Sequence, residues 1–308
     1  MARVKICCWF LCAVLWLGCD KRAREQGEPS ATGPRDKKER KRSASALVET
    51  QQLQFENQAA LNLDLEYHSG YLDLEPETTG KLAELRFEFE SEENRPEVIY
   101  DSTSSRPSLK IRSYDRHRKN LTLNELRESR WHLKISPQVV LDFRLEAGAI
   151  DGRLNFSGLK VENISLEMGA GDLDLAFDQP NPERPRIRIH AGAAATTASG
   201  LCNANFTTFE FHGGAGKSDL TFDGAYEGEG RVDLKYGVGL NTVFLARDLG
   251  ARIRKSGSFL APMSLHGFDR EGDIYYSKNY EQARGRLDFD IEMGVGHTTV
   301  KWLEERNM

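Results

Sequence analysis

The sequence predicts an all-β protein whose body is a β-solenoid-like stack of repeats about 22 residues long, each punctuated by glycine. Two observations predict it. Apolar residues alternate with polar ones along Leu61, Leu63 and Leu65, then Leu72 and Leu74, then Leu85, Phe87 and Phe89, and a period of two is the mark of half-buried strands. Glycines 148, 169, 192, 214 and 237 follow one another at intervals of 21, 23, 22 and 23 residues. A near-constant interval of this size means stacked supersecondary units.

Each element can be justified in turn. Arg3 and Lys5 precede the apolar run Ile6 to Leu17. That run has the length of a secretory h-region and falls short of the ~18–20 residues that cross a bilayer. It closes on Gly18-Cys19, which resembles the lipobox of bacterial lipoproteins, whose cysteine carries the lipid and becomes the mature N-terminus; Trp16 and Leu17 depart from that pattern. Cysteine usage agrees. Cys7, Cys8 and Cys12 fall inside the removed segment, and of the remaining two Cys202 lies far along the chain between apolar neighbours. A lipid role explains Cys19 better than a disulfide does. Residues 1–19 are therefore expected to be a signal peptide and Cys19 the lipidation site.

Residues 20–46 hold nine basic and five acidic side chains among Ser, Pro and Gly, with no apolar periodicity. Such a segment buries too little surface to offset its ordering entropy and is expected to be a disordered tether. The cluster Arg35 to Arg42 also suits anionic lipid, although a solvated spacer is the simpler reading. With a net charge of −5 over 308 residues, the chain lacks the basic domain of a nucleic-acid binder. From residue 47 to 140 an N-terminal β segment is expected. Its one helical-turn candidate runs from Leu121 to Arg130.

Residues 141–308 repeat a unit that reads apolar-x-x-Gly-x-Gly and then a second alternating strand. Its copies begin at Leu145, Leu166, Ile189, Phe211, Leu234 and Ile291. The last glycine interval, 237 to 294, is far longer than the rest, so residues 250–288 read as an insertion or cap. Glycine at fixed offsets is expected to supply a positive φ or a tight corner. Ala193 to Gly200 replaces the acidic strand of its siblings with small residues, and an irregular coil is expected there.

Trp131-His-Leu-Lys-Ile-Ser-Pro137, the recurring Gly-Ala-Gly-Asp-Leu-Asp-Leu and the ending Leu287-Asp-Phe-Asp-Ile-Glu-Met-Gly-Val-Gly296 together resemble the toast-rack domains of bacterial envelope proteins. The resemblance spans about Leu61 to Trp302. It implies a toast-rack stack similar to the C-terminal part of cell-wall-stress regulators, and no particular reaction.

Each candidate chemistry in the chain has a plainer reading. Gly213 to Ser218 is similar to a phosphate loop, but Phe211 stands where its first glycine belongs and a strand follows where a helix is needed. Asp172, Asp174, Asp219 and Asp223 lack the nine-residue period of calcium-binding β-rolls. Position two of each unit reads Glu146, Glu167, His190, His212, Lys235 and Glu292. In a parallel stack these line up at ~4.8 Å intervals, and Glu167, His190 and His212 are the set that suits Zn²⁺. A polar, solvent-facing ladder is the plainer reading, and no metal or other cofactor is expected. Cys202 reads as a small buried side chain, and Trp131, Tyr275, Tyr276 and Trp302 are the aromatics to check for exposure.

The function expected is that of a non-catalytic binding, scaffolding or envelope-sensing module. A lipid holds it to a membrane, on the periplasmic side or the cell surface, and its partner is an envelope protein or a glycan. The alternative is a carbohydrate-active β-solenoid enzyme, for which the acids form no distinctive constellation.

Overall fold

The structure, a computed structural model, describes residues 46–113, 129–257 and 261–304. The signal peptide, Cys19, the tether and most of the Leu121–Arg130 stretch lie outside these residues. The described chain forms a single mixed sheet of sixteen strands. In order they are β1 (Leu47–Leu53), β2 (Ala60–Pro76), β3 (Ala83–Phe89), β4 (Glu97–Asp101), β5 (Ser108–Arg112), β6 (Arg130–Ile135), β7 (Val140–Asn155) and β8 (Lys160–Ala176). There follow β9 (Arg186–Ser199), β10 (Thr208–Phe222), β11 (Gly228–Leu245), β12 (Gly250–Gly257), β13 (Met263–Leu265), β14 (Phe268–Glu271), β15 (Ile274–Ser277) and β16 (Gly285–Trp302).

The long strands β2, β7, β8, β9, β10, β11 and β16 lie side by side, every neighbouring pair parallel. Only residues 156–159 join β7 to β8, which pair from Val140 opposite Lys160. Four residues reach at most about 14 Å, whereas a straight strand the length of β7 runs about 50 Å. Each long strand must therefore fold back on itself. It does so at its centre, where the pairing skips one residue per strand: His68, Gly148, Gly169, Gly192, Gly214, Gly237 and Gly294. Each rung is thus a V with two arms, and inward side chains of the two arms meet. The ring centroids of Phe143 and Phe156 are 5.3 Å apart, and those of Phe209 and Phe222 5.7 Å.

The corner glycines are there for room. A Cβ on Gly192 would sit 2.4 Å from the carbonyl oxygen of Gly169, and one on Gly214 2.4 Å from that of Gly192. None of the corner glycines has a positive φ; of the two roles the sequence offers, they fill the tight corner. Positive φ appears two residues later, at Gly171 (+120°) and Gly216 (+140°).

Side chains alternate inward and outward along both arms. The inward column Leu145, Leu166, Ile189, Phe211, Leu234 and Ile291 is 0–2% exposed, and each such burial contributes roughly 1.5–3 kcal/mol. One inward column changes character along the stack. It runs Leu72, Gly152 and Leu173, then Thr196, Ser218, Asn241 and Thr298. The buried Ser218 hydroxyl donates to Asn241 Oδ1 at 2.9 Å, and the Thr298 hydroxyl to Met293 Sδ at 3.2 Å. On the open side of the V, asparagines staple successive turns. Buried Asn181 accepts from Val161 N and donates to the carbonyls of Val161 and Ala204.

β9 departs from expectation. Its pairing with β8 and β10 is in step on both sides, except for the corner residue that every rung skips. Small residues at Ala193 to Ala195 leave the backbone register intact because the ladder needs only their N–H and C=O groups. The register shift in the stack falls instead between Leu141 and Asp142, against β8.

Both ends are closed by strands out of chain order. β2 lies between β7 on one face and an outer rung, made of β5 and β6, on the other; β4 flanks β5, and β3 and then β1 flank β6. At the far end β16 slots between β11 and an outer rung made of β12 and β13, with β15 and β14 beyond β12. The long glycine interval from 237 to 294 is filled by this outer rung and its flanking strands.

Candidate functional site

The outward ladder beside the corner is where chemistry-bearing side chains gather. Register places Glu66, Glu146, Glu167, His190, His212, Lys235 and Glu292 opposite one another on successive rungs. Strand periodicity points them outward, because their neighbours on either side carry the core. A groove of about 430 Å³ runs past Glu146, Glu167, His190 and His212 with Gly169 and Gly192 on its wall. A second, of about 390 Å³, continues past His212, Lys235 and Glu292 along Gly214 and Gly237. The grooves exist because the corner column has no side chains.

His190 and His212 stack, with centroids 4.7 Å apart and planes 6° from parallel. Neither Nε2 has a hydrogen-bond partner among the described residues. Burial is the main force pushing the His212 pKa down, helped by Lys235 and His190 and opposed by Asp233 and Glu210. Glu210 is held below the ordinary carboxylate range by the Arg188 guanidinium, whose Nε donates to it at 2.9 Å. Farther along, the Lys110 ammonium lowers the Glu66 pKa in the same way.

The structure thus brings Glu167, His190 and His212 into one column but not onto one point. Zinc needs its ligand atoms about 2.0–2.2 Å from a common centre, whereas parallel rings send their in-plane lone pairs along separate planes. Among the described residues no group of three or more His, Cys, Asp or Glu is placed to hold a metal ion. Asp219 faces Lys217, and Asp223 accepts the Gly200 N–H at 2.6 Å. The phosphate-loop-like segment Gly213 to Ser218 is the corner and second arm of β10.

Trp131 is fully buried, stacked on Tyr67 with centroids 4.1 Å apart, while Tyr275, Tyr276 and Trp302 are half-buried. Cys202 is buried, and burial together with Asp223 and Asp248 pushes its thiol far above the usual range, so it is no nucleophile. One recess escaped sequence reasoning. About 500 Å³ opens between turns on the far side of the V, beside Tyr226, Glu227, Asp248, Asn279 and Arg284. Its residues come from three separate turns, and no spacing in the sequence joins them.

Residues 37–199 match the N-terminal domain of toast_rack, DUF2154. No curated protein matches the chain. Among solved structures, one described as a candidate cell adhesion protein from Clostridium sporogenes ATCC 15579 is 20% identical, with a TM-score of 0.47, covering 84% of this chain and 100% of that one. A candidate adhesin from Bacteroides fragilis NCTC 9343 is 14% identical, with a TM-score of 0.34, covering 84% of this chain and 97% of that one.

Proposed function

Because the chain belongs to the toast-rack family through the domain matched over residues 37–199, we propose that it is a non-catalytic module of the bacterial cell envelope. A lipid on Cys19 holds it to a membrane, and residues 20–46 separate the body from that membrane. The body offers its outer ladders to an envelope protein or a glycan. The observation that carries this reading is the corner groove: a glycine wall bordered by polar side chains repeating at the strand interval. Such a surface matches an extended, repeating partner and needs no enclosed pocket.

Several carboxylates of the body are tied up in pairing or hydrogen bonds. Glu66, Glu77, Asp101 and Glu210, the described carboxylates with a displaced pKa, are all lowered. Asp290 is shared by Arg231 and Arg254, and Glu146 is paired with Arg144.

The test is intact mass of the chain extracted from membranes, beside a Cys19→Ala variant, with both fractionated. A diacyl or triacyl mass increment that disappears in Cys19→Ala, together with release of that variant, is the expected result. A soluble wild-type chain without lipid mass overturns the anchored reading.

A further inference from the structure

Of the free sheet edges at the two ends of the stack, one is built differently from the others. β1 pairs with β3 along all seven of its residues, and among the described residues nothing pairs with its other side. An unpaired edge presents a row of N–H and C=O groups, and soluble proteins blunt such edges with charge, proline or brevity. β14 is blunted: it has four residues, of which Asp269, Arg270 and Glu271 are charged. β4 is blunted by charge as well. Antiparallel pairing of two β4 strands about Ile99 would set Glu97 against Asp101 at both ends, a like-charge opposition that destabilises the pair.

β1, Leu47-Val-Glu-Thr-Gln-Gln-Leu53, has neither device. Its one charge, Glu49, is already met by Arg95 Nε at 3.0 Å. Leu47 and Val48 are 37% and 55% exposed, large apolar side chains left open on that edge. The sequence is also complementary to itself. An antiparallel pair with its two-fold axis at Thr50 sets Leu47 opposite Leu53, Val48 opposite Gln52 and Glu49 opposite Gln51, with no like charges facing. Leu47 and Leu53 share the β1 face that, through Phe89 and Ala83 of β3, looks toward the core. Pairing would therefore cover the open Leu47 with Leu53 of the second copy and carry the sheet across the junction.

We infer that β1 is a self-association edge, and that two copies of this chain join head to head through antiparallel β1 strands centred on Thr50. Such a contact is isologous and closes at two copies. It does not depend on the lipid anchor.

Register-specific crosslinking tests it in the full-length chain, read in whichever cell fraction holds the protein, so that failure of anchoring leaves the result intact. Directly opposed residues of an antiparallel pair have Cα atoms about 4.5–5.5 Å apart, within disulfide reach of about 4.4–6.8 Å. Under a mild oxidant, Thr50→Cys is expected to convert most of the chain to a reducible covalent dimer, at least tenfold above the wild-type background. Val48→Cys and Gln52→Cys are each expected to stay at background alone and to crosslink when co-expressed. Resistance to limited proteolysis matching the wild type confirms that each variant is folded. Background-level crosslinking of folded Thr50→Cys overturns the proposal, as does equal crosslinking at all three positions. A Thr50→Cys crosslink to a different protein in place of the dimer overturns it too, and identifies a different occupant of the edge.

Discussion

The middle of the stack and its two ends solve the same problem with different means. In β7 to β11 each rung pairs with the one about 22 residues away, its corner glycine sits against the previous carbonyl, and an asparagine such as Asn181 ties turn to turn. Apart from the skipped corner residues, each of these strands keeps a parallel ladder with the adjacent repeat along both arms. At the ends that supply runs out. There the chain inserts β2 and β16 beneath outer rungs, so that the last long rung at each end is paired on both sides. The repeat accounts for the regular part, and long-range pairing accounts for where it stops. Free edges and antiparallel strands collect at the ends for the same reason.

Substitutions can break or sharpen this contrast, beginning with the largest effect. Trp131→Ala removes a fully buried indole from the N-terminal end, where it stacks on Tyr67 and meets Phe87 edge-on, and should cost about 3–5 kcal/mol. In urea titration with segment-resolved proteolysis, β1 to β6 should become cleavable well before β8 to β11. A simultaneous loss of both would dissolve the distinction. Gly171→Ala acts in the middle, where a Cβ would lie 1.9 Å from the Ile150 carbonyl oxygen at a φ of +120°. Close contact and backbone strain together should cost about 2–4 kcal/mol, read as a fall in the urea midpoint.

Asn181→Ala leaves the Val161 and Ala204 groups without partners and should cost about 1–3 kcal/mol. Gly80→Ala is the matched control. Its φ is +87° but nothing lies within 4 Å of the added methyl, so only the backbone cost remains, about 1–2 kcal/mol. If Gly80→Ala equals Gly171→Ala, close approach to the Ile150 carbonyl is not what Gly171 is for.

The smallest effect is a pH dependence. Burial and neighbouring cations hold the His212 pKa below its ordinary value near 6.5. The unfolded chain therefore binds the proton more readily, so this contribution is fully present above about pH 6.5 and is lost as pH falls below it toward the folded value. The melting temperature should drop slightly from about pH 7 to about pH 5, and His212→Gln should flatten that slope. The carboxylates held low, such as Glu210, add their own loss only at more acid pH, below their ordinary value near 4.5.

Much of the middle was legible because a parallel stack writes itself into the sequence as a period. The alternation of Leu166 with Glu167, and the recurrence of that pair at Ile189 and His190, places both the core column and the outer ladder. Stacking of His190 on His212 follows from the same count. Which of the two reasons applies to the corner glycines was not legible, since crowding by a carbonyl one rung away and freedom of φ leave the same letter in the sequence. Ala193 to Ala195 looked irregular because side chains were read where backbone pairing decides. The insertion of β2 and β16 left no signal either, because their partners β6 and β12 lie outside the period. Nor did the recess beside Asp248 and Arg284, assembled from turns remote in the chain.

Backbone amide hydrogen exchange, resolved by segment on the full-length chain, tests the central claim most directly: a self-satisfied middle bounded by weaker ends. β8 to β11 should exchange slowest and as one block, with β4, β14 and β15 exchanging far faster. Rates in β8 to β11 that differ widely from rung to rung, or that match those of β4 and β14, would contradict it.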